Sequence, residues 1–491
     1  MKPLENVVVL DLTRVLSGPY AAMMLADMGA NVIHIEQPKI GDDSRAYGPF
    51  IGKESAYFMS LNRNKRSMTM NFKSEEAKAV FKEMVKKADV VVENFKPGTM
   101  KKFGLDYSVL KEINPKIIYA SCSGFGQTGP YTMKPAYDVV VQAMGGIMSI
   151  TGPDKDTFCR VGASVGDIIA GIFLATGITT ALYKREVSGI GQEIDVSMLD
   201  CQVAILENAV SRYFVNGVNP TPLGNRHPSI TPFESFTASD GLLIVGAGND
   251  RLWKKLCDLI NKPELIEDPR FITNADRTNN EPALKEILDA VFVTDTIEHW
   301  LEKLEAAAIP CAPINTIDKV VNDPQVNFRE MIVEVEHPTA GKMKIPGVPI
   351  KFSETPCGVE KAAPVLGQHT DEVLKEFGFD DAEIAKLHEQ VRSAKTDTEL
   401  AVAKAEAEAN ERFAKQQEVV ANLKAKNEMA EAQAKLHEQE LVARYEGQLK
   451  DKDALVEYYR DLKARHERIL PRLGFTLTFS FTKRSATSCQ Y

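Results

Sequence analysis

Apolar runs alternate with amphipathic helical segments through the first quarter of the chain, and this alternation limits the fold more than any other feature. Residues 7–36 contain the apolar run VVVLDL, a helical segment that ends at Gly29, and a second apolar run, NVIHIE. The same order continues in KSEEAKAVFKEMVKKA, DVVVENF and PKIIYASCSGFG. Strands that are joined by helices pair in parallel, with the helices on the two faces of the sheet. The sequence therefore predicts an α/β fold with a Rossmann-like, mostly parallel sheet.

Changes of composition divide the chain into four predicted segments. Residues 1–218 form the large α/β domain, and residues 219–316, which open with the loop-rich run NPTPLGNRHPSITPFESF, form a smaller α+β domain. Residues 317–390 return to the large domain. Residues 391–491 are a helical or coiled-coil extension with an irregular tail, because residues 391–446 contain no Gly or Pro and hold heptad register only in patches.

Charge and composition exclude several classes of partner. The net charge of -9 argues against nucleic acid. The N-terminus MKPLENVVVLDL lacks a basic start followed by a long apolar stretch, and no later segment reaches about 18 uninterrupted apolar residues, so we expect a cytoplasmic protein with no membrane contact. Seven cysteines and eight histidines are scattered without CxxC spacing, which predicts reduced thiols and no metal site.

The glycine-containing turns are of two kinds. The first turn, DLTRVLSGPYAA, follows a strand as in dinucleotide-binding folds, but its single Gly18 precedes Pro19, which has no N–H to donate to a pyrophosphate. We therefore expect no NAD site. SGFGQTGP, residues 123–130, and VGAGND, residues 245–250, are either turns that need positive φ or the floor of a ligand pocket. Spacing alone leaves both alternatives open.

One carboxylate, Asp167, stands at the head of an apolar helical run that meets its next charged residue only at Lys184. The simpler interpretation is a helix N-cap, since Asp is among the best capping residues. The alternative is a nucleophile at the edge of a cleft, where Gly162, Gly166 and Gly171 leave room for a substrate.

Nine sequence blocks, in order over about residues 1–390, resemble the class III CoA-transferases, the family of formyl-CoA:oxalate and carnitine CoA-transferases. The blocks include VLDLTRVLSGPYAAMMLADMGANVIHIEQP, GDDSRAYGPF, ADVVVENFKPGTMKKFGL, KPAYDVVVQAMGG, VGDIIAGIFLATGITTALYKRE and GNRHPSITPFESF. In that family the Asp of the GD block is the catalytic nucleophile, and the matching residue is Asp167. The resemblance implies that this carboxylate forms first an acyl anhydride and then a thioester with CoA.

The resemblance also implies a CoA site, with acyl-CoA as a substrate and no permanently bound cofactor. The positions that match CoA contacts are Leu16, Ser17, Gln37, Met70, Lys73, Asn94, Phe95, Lys96, Lys102, Ala136 and Tyr137. Two of them depart from the family pattern. Gln37 and Lys102 stand where arginines are usual, and a lysine keeps the charge but loses the bidentate geometry of a guanidinium. Lys39 is a candidate substitute near Gln37.

The remaining implications concern substrate, assembly and alternatives. The GDDSRAYGP, GNRHP and GND blocks look closest to acetyl-CoA:oxalate and succinyl-CoA:dicarboxylate enzymes, which favours a small dicarboxylate acceptor held by Arg226, His227, Gly246 and Gly248. Family members form interlocked homodimers. An acyl-CoA racemase of the same fold would need a His where this chain has Tyr137, a poor base at pH 7. A scaffold role carried by the C-terminal extension is the non-catalytic alternative.

Overall fold

The computed structural model describes residues 1–446 and 452–469, and the chain divides into two compact units between Ile384 and Ala385. The first unit begins with alternating strands and helices. In chain order these are β1 (Val8–Asp11), α1 (Ser17–Asp27), β2 (Asn31–Glu36), β3 (Phe50–Ile51), β4 (Glu54–Ser55), α2 (Ala56–Leu61), β5 (Arg66–Thr69), α3 (Glu75–Val85), β6 (Val90–Glu93), α4 (Thr99–Phe103), α5 (Tyr107–Ile113), β7 (Ile118–Ser123), α6 (Asp138–Met144), α7 (Val165–Ser188), β8 (Glu193–Ser197), α8 (Met198–Ala204) and α9 (Asn208–Asn216).

Six of these strands form one parallel sheet in the order β5-β2-β1-β6-β7-β8. The inner strands β6 and β7 are buried on both faces, as in a sheet covered by crossover helices, whereas the edge strand β8 is partly exposed. Val9 and Val92 pack against α1 and α7, whereas Leu10 and Val91, which alternate with them, are buried outside that cluster. The predicted α/β class is confirmed.

The α7 helix is long and apolar enough, by length and composition, to span a membrane. Its buried residues explain that composition, because Ala170, Leu174 and Ile178 lie in the same core cluster as β1 and β6. The apolar run that predicted this helix is therefore a core feature of the sheet domain.

The second half of the first unit contains an antiparallel sheet in the order β11-β10-β9. Helices cover it around a core that includes Phe236, Trp253, Phe292 and Trp300. The elements are β9 (Phe233–Ala238), β10 (Gly241–Gly246), α10 (Asp250–Leu259), α11 (Glu264–Glu267), α12 (Asn274–Asn279), α13 (Glu281–Phe292), α14 (Ile297–Ala306), β11 (Cys311–Pro313), α15 (Ile317–Asn322), α16 (Pro324–Phe328), β12 (Ile332–His337), β13 (Gly341–Pro346) and α17 (Thr370–Phe377). The α17 helix packs on β5 of the parallel sheet, where Arg66 binds Glu372 and Glu376.

The C-terminal helices are α18 (Asp381–Glu446) and α19 (Lys452–Ile469). The α18 helix begins ten residues before the predicted start at Val391, because Asp380 and Glu383 form a capping box: each side chain accepts the backbone N–H of the other, at 2.8 and 2.9 Å. The coiled-coil assignment stays a prediction, and the FTLTFSFT run of the predicted irregular tail lies outside the described residues.

Candidate active site

The carboxyl ends of the parallel strands bring most of the predicted CoA-contact residues to one edge of the sheet. Leu16 and Ser17 follow β1, Gln37 follows β2, Met70 and Lys73 follow β5, and Asn94, Phe95 and Lys96 follow β6. Lys102 lies in α4, which comes next along the chain. Open parallel sheets bind ligands outside this edge, so the arrangement forms a candidate nucleotide site.

Asp167 lies in the first turn of α7, beside the start of α1. Gly171 is one turn further along the same face of the helix, and a Cβ atom there would lie 2.7 Å from the carbonyl oxygen of Ser17. Only glycine allows the two helices to approach this closely. The approach brings the Ser17 side chain close to the Asp167 carboxyl, where the hydroxyl acts to lower the pKa of that group.

The carboxylate that caps α7 belongs to Asp138, at the start of α6. Its Oδ1 accepts the backbone N–H of Gly166 at 2.8 Å, and its Oδ2 accepts a hydrogen bond from Nε2 of Gln142 at 2.8 Å. The N-cap position itself is Ser164, whose side chain makes no capping hydrogen bond. The capping interpretation of Asp167 is therefore wrong.

The glycines around Asp167 also serve a different purpose from the predicted one. A Cβ atom at Gly166 would lie 2.9 Å from Oδ1 of Asp138, so both Gly166 and Gly171 make room for neighbouring parts of the protein. Only Gly162 faces open space, with no atom within 4 Å of an added Cβ. Close packing around the carboxylate, rather than space for a substrate, explains two of the three glycines.

The Asp167 carboxyl is half-buried and faces a second acid. Burial first, and then the charge of Asp138, raise the pKa of Asp167 to about 7, although the hydrogen bond from Ser17 opposes the shift. Among the described residues, no Lys or Arg forms an ion pair with Asp167. The side chain is consequently a basic carboxylate that changes protonation near neutral pH.

Tyr57 faces Asp167, and Tyr47 packs against Tyr57. Burial, followed by the charge of Asp167, raises the pKa of Tyr57 to about 12, so its hydroxyl stays protonated and can donate a hydrogen bond. The ring of Tyr47 meets the ring of Tyr57 edge to face, with centroids 5.7 Å apart. The site thus combines a desolvated carboxylate with a neutral hydroxyl donor, an arrangement suited to acyl transfer.

Comparison with known proteins assigns the family. Residues 4–370 match the model of CoA-transferase family III. The chain belongs to the family III CoA-transferases. It is 44% identical over 382 residues to the acetyl-CoA:oxalate CoA-transferase of Acetobacter aceti, an alignment that covers 77% of this chain and 97% of the relative. It is 41% identical over 389 residues to the succinyl-CoA:glutarate CoA-transferase of Mus musculus, covering 79% of this chain and 89% of the relative.

A solved structure shares the fold of this CoA-transferase. The crystal structure of a CAIB/BAIF family protein from Brucella suis superposes with a TM-score of 0.69 at 38% identity, and the match covers 77% of this chain and 99% of that one. The chain is therefore an enzyme of the class predicted from its sequence, and enzymes of this class use CoA thioesters as substrates.

Asn94 and Phe95 of the CoA-transferase make hydrogen bonds that stabilise the turns after β1 and β6. Asn94 accepts the backbone N–H of Arg14 at 2.8 Å and donates to the carbonyl oxygen of Arg14 at 2.8 Å and to the Ser17 hydroxyl at 3.4 Å. The backbone N–H of Phe95 donates to Glu93 at 2.7 Å. These contacts hold the β1 and β6 turns side by side, as a shared binding surface requires.

The other predicted CoA contacts differ in exposure. Gln37, Lys39, Lys73, Lys96 and Lys102 are exposed at or near the same sheet edge. Met70 is buried, Ala136 packs against Gly124, and Tyr137 is 75% exposed before α6. The structure thus leaves the long polar side chains free to reach a phosphate, and their roles as CoA contacts stay predictions.

The predicted substrate residues Arg226 and His227 make their contacts in and around the antiparallel sheet. Arg226 pairs with Glu281 at 3.0 Å and donates to the carbonyl oxygen of Thr278 at 2.9 Å. His227 accepts the backbone N–H of Ser229 on Nδ1 at 3.1 Å. Two of the Arg226 donors are therefore engaged by the protein, and the substrate role of both residues stays a prediction.

The predicted glycines of the GAGND block are also bonded within this part of the protein. The N–H of Gly246 donates to the carbonyl oxygen of Pro310 at 2.8 Å, and the carbonyl oxygen of Gly248 accepts from Arg277 at 2.9 Å. A Cβ atom at Gly248 would lie 2.0 Å from a methyl carbon of Ile230, so close packing requires this glycine. Their proposed contact with substrate stays a prediction.

Asp138 and Tyr57 are the site residues that sequence reasoning missed. Asp138 adjoins Tyr137 in the KPAYD block, so the signal was present but was assigned to its neighbour. Tyr57 lies between the quoted blocks, 110 positions before Asp167, and no spacing rule connects the two. Within residues 1–446 and 452–469, no group of three or more His, Cys, Asp or Glu side chains could hold a metal ion.

Proposed function

We propose that this enzyme transfers CoA from an acyl-CoA donor, such as acetyl-, formyl- or succinyl-CoA, to a small free dicarboxylate such as oxalate. The activities of its relatives support this choice, because one transfers CoA to oxalate and another to glutarate. The chemistry needs no resident cofactor, since the thioester itself carries the activation. The observation that carries the proposal is the environment of Asp167: the side chain is half-buried in the first turn of α7, and no Lys or Arg of the described residues pairs with it.

Asp167 is the nucleophile in this proposal. One carboxylate oxygen attacks the thioester carbonyl, the C–S bond breaks, and CoA leaves as a thiolate, which gives an aspartyl acyl anhydride. The thiolate attacks the aspartyl carbonyl and expels the first acid as its carboxylate, which leaves an aspartyl-CoA thioester. The incoming carboxylate attacks that carbonyl and expels the thiolate again. The thiolate then attacks the acceptor carbonyl, forming the new acyl-CoA and restoring the Asp167 carboxylate.

The surroundings of Asp167 suit each of these roles. A carboxylate with a raised pKa is more basic, and therefore more nucleophilic, than a solvated aspartate. Its place in the first turn of α7 puts the oxyanion of each tetrahedral intermediate near the positive end of a helix of 24 residues. Burial also limits access of water, which would hydrolyse both the anhydride and the thioester.

Trapping the intermediate tests the proposal. The full chain is incubated with acetyl-CoA or succinyl-CoA, treated with hydroxylamine, digested and analysed by mass spectrometry. We expect a hydroxamate on Asp167 only when an acyl-CoA is present, and transfer to oxalate or glutarate in the same mixtures. Asp167→Asn should show neither, whereas Asp200→Asn, on the surface of α8, serves as the matched control and should show both. Transfer without any covalent adduct would overturn the mechanism.

We also propose that the enzyme is a homodimer, of the interlocked type implied by the family resemblance. Large apolar side chains are exposed on the single chain between residues 131 and 230, more than a soluble surface usually leaves uncovered. They include Tyr131, Phe158, Tyr183, Val187, Phe214 and Val215. Light scattering on the purified protein should give twice the chain mass, and Phe214→Lys together with Val215→Lys should lower it towards that of one chain.

A further inference from the structure

A network of four buried charges lies directly behind the turn that carries Ser17. Asp11 at the end of β1, His34 in β2 and Lys65 before β5 are each 0–1% exposed. Nζ of Lys65 and Nδ1 of His34 both contact Oδ2 of Asp11 at 3.0 Å. The fourth member is Asp42, 2% exposed, whose Oδ2 lies 3.7 Å from Nε2 of His34. The contact between His34 and Asp42 is electrostatic, because Nε2 has no hydrogen-bond partner within the described part of the chain.

The network holds a strained stretch of backbone. Val15 adopts φ of 68°, in the left-handed region that β-branched residues rarely occupy. Its N–H donates to both carboxylate oxygens of Asp42, at 3.0 and 3.2 Å. Asp42 is fixed in turn by accepting the N–H of Ser44 at 2.8 Å and by donating its own N–H to Glu36 at 2.9 Å. These contacts stabilise the strained conformation immediately before Leu16.

The same network also binds the backbone on the C-terminal side of Ser17. Nζ of Lys65 donates to the carbonyl oxygen of Pro19 at 3.1 Å, in the first turn of α1, and to Oδ1 of Asn62 at 2.8 Å. Ser17 therefore lies between two backbone groups, the Val15 N–H and the Pro19 carbonyl, that buried charges hold in place. Its side chain lies close enough to Asp167 to lower the pKa of that carboxyl.

We propose that Asp11, His34, Asp42 and Lys65 are positioning residues, which fix the Ser17 hydroxyl against Asp167 and so set the rate at which the carboxylate attacks the thioester. This inference rests on the proposed function of Asp167. Two carboxylates, one lysine and one imidazolium sum to zero charge, so the network is neutral when His34 carries its proton. Loss of that proton leaves Asp42 without its cation and weakens its hold on Val15.

The groups that face His34 determine its protonation. They are Asp11 on β1, Glu36 on the same strand, Asp42 and Lys65, with the ring of Phe58 from α2 6.1 Å away. Burial lowers the pKa of His34, but Asp11 and Glu36 together more than offset this, and the pKa lies above its ordinary value. This shift favours the imidazolium form of His34, and the attraction between His34 and Asp42 is lost as the pH rises through the pKa of His34.

The test compares variants of the network with a matched buried ion pair at the other end of α1. Asp42→Asn keeps an acceptor for Val15 but removes the charge that faces His34, and His34→Gln removes the cation. Asp27→Asn is the control, because Asp27 pairs with Arg63 at 2.7 Å, both side chains are 4% exposed, and neither contacts the Ser17 turn. For each full-length protein, kcat, KM for acyl-CoA, the rate of hydroxamate formation against pH and the denaturation midpoint are measured.

We expect Asp42→Asn and His34→Gln to lower kcat and the hydroxamate rate about tenfold with a smaller change in KM. His34→Gln should also abolish the alkaline fall in rate, and His34→Lys, which restores a cation, should recover most of kcat. Asp27→Asn should lower the denaturation midpoint and leave kcat near wild type. In a Ser17→Ala background, Asp42→Asn should have no further effect on kcat, because the two changes act through one contact.

Two results separate the possible failures. If wild-type protein forms no hydroxamate on Asp167, the proposed function fails and the positioning role fails with it. In the other case, the wild-type protein forms the adduct while the Asp42 and His34 variants behave like Asp27→Asn, with lower stability but the same kcat and pH profile as that control. Only the positioning role is then overturned. Additive effects of Ser17→Ala and Asp42→Asn would overturn it as well.

Discussion

Asp11 and Asp167 are two carboxylates on opposite sides of one turn, and their partners give them opposite properties. Burial raises the pKa of Asp11, but Lys65 and His34 more than reverse this, and the pKa falls well below its usual range. Asp167 is less buried, yet burial first and then the charge of another acid, Asp138, raise its pKa to about 7, because no cation reverses the effect of burial there. The degree of burial does not explain the difference, whereas the sign of the neighbouring charge does.

The comparison separates a carboxylate that stabilises the fold from one that is held ready to react. The charge on Asp11 stabilises the folded protein, because its buried cations favour the ionised form. The charge on Asp167 destabilises it, and that unfavourable energy is the source of its nucleophilic character. Exchanging these environments by mutation should exchange the consequences, and the following predictions test this from the largest effect to the smallest.

The largest effect concerns Asp167 itself. Asp167→Asn removes the nucleophile while keeping the shape of the side chain, and we expect kcat to fall by roughly 10⁴-fold or more, because covalent catalysis cannot proceed. Steady-state transfer from succinyl-CoA to glutarate measures this loss. A fall of less than about tenfold would mean that the Asp167 carboxylate is not the attacking group. Asp167 would then no longer be the reactive member of its comparison with Asp11.

Removing the cation that serves Asp11 should affect stability next most strongly. Lys65→Met leaves the Asp11 carboxylate buried with His34 as its one remaining cationic neighbour, and we expect the free energy of unfolding to fall by about 3–5 kcal/mol. Denaturant unfolding of the full chain measures the change, with Lys102→Met, an exposed position, as the control that should shift it by less than about 0.5 kcal/mol. A loss below about 1 kcal/mol for Lys65→Met would show that the network is not a stabilising device.

Neutralising Asp167 should instead stabilise the fold, in a pH-dependent way. The folded-state pKa of about 7 exceeds the unfolded value, so the wild-type side chain binds a proton on folding and its penalty grows as pH rises to 7. We expect Asp167→Asn to gain roughly 2–4 kcal/mol at pH 8 and much less at pH 4. The unfolding free energies of wild type and Asp167→Asn should therefore diverge as the pH rises to 7 and differ by a constant amount above it. The same difference at every pH would contradict the raised pKa of Asp167.

A smaller effect follows from the acid that faces Asp167. Asp138→Asn keeps an oxygen for the N–H of Gly166 but removes the charge that raises the pKa of Asp167, so the nucleophile ionises at lower pH. The acidic limb of the hydroxamate rate should move towards lower pH by about one unit. Asp200→Asn, which lies outside the site, should leave this limb unchanged. A shift of the limb towards higher pH would be the opposite of the expected sign.

The smallest effect is expected at the exposed lysines of the sheet edge. Lys102→Ala should raise KM for acyl-CoA a few-fold and leave kcat unchanged, because a solvated charge contributes about 1 kcal/mol or less to phosphate binding. Raising the salt concentration should reduce the difference between wild type and variant. Lys87→Ala, at the end of α3, is a matched lysine away from the site and should not change KM.

The sequence predicted the elements of this fold better than the environment of its reactive group. Apolar runs such as VVVLDL predict the strands, and their alternation with helices predicts parallel pairing. Parallel pairing then brings the residues that follow each strand to the same edge of the sheet. The environment of Asp167 depends on Asp138 and Tyr57, which lie 29 and 110 positions away in the chain and approach it only after α6, α7 and α2 have packed. Local patterns carry no information on such contacts.

Two local rules failed for reasons that the contacts explain. Asp at the head of a helix favours an N-cap, but α7 begins at Val165, three residues after the exposed Gly162, and Asp138 from another helix supplies the capping oxygen. The long C-terminal helix was placed by the absence of Gly and Pro, whereas its start depends on the capping box of Asp380 and Glu383. In both cases the helix end was decided by hydrogen bonds rather than by composition.

The close approach at Gly171 links the geometry of the reactive group to the packing of α1 against α7. The reactive side chain lies on a helix of the sheet domain, so heat should abolish turnover over the same temperature interval in which that domain unfolds. Mutations that tighten the packing of α1 on α7, even far from the substrate, should extend the range in which the enzyme works. Changes of acid preference, by contrast, must come from the surrounding loops, which can vary without disturbing this contact.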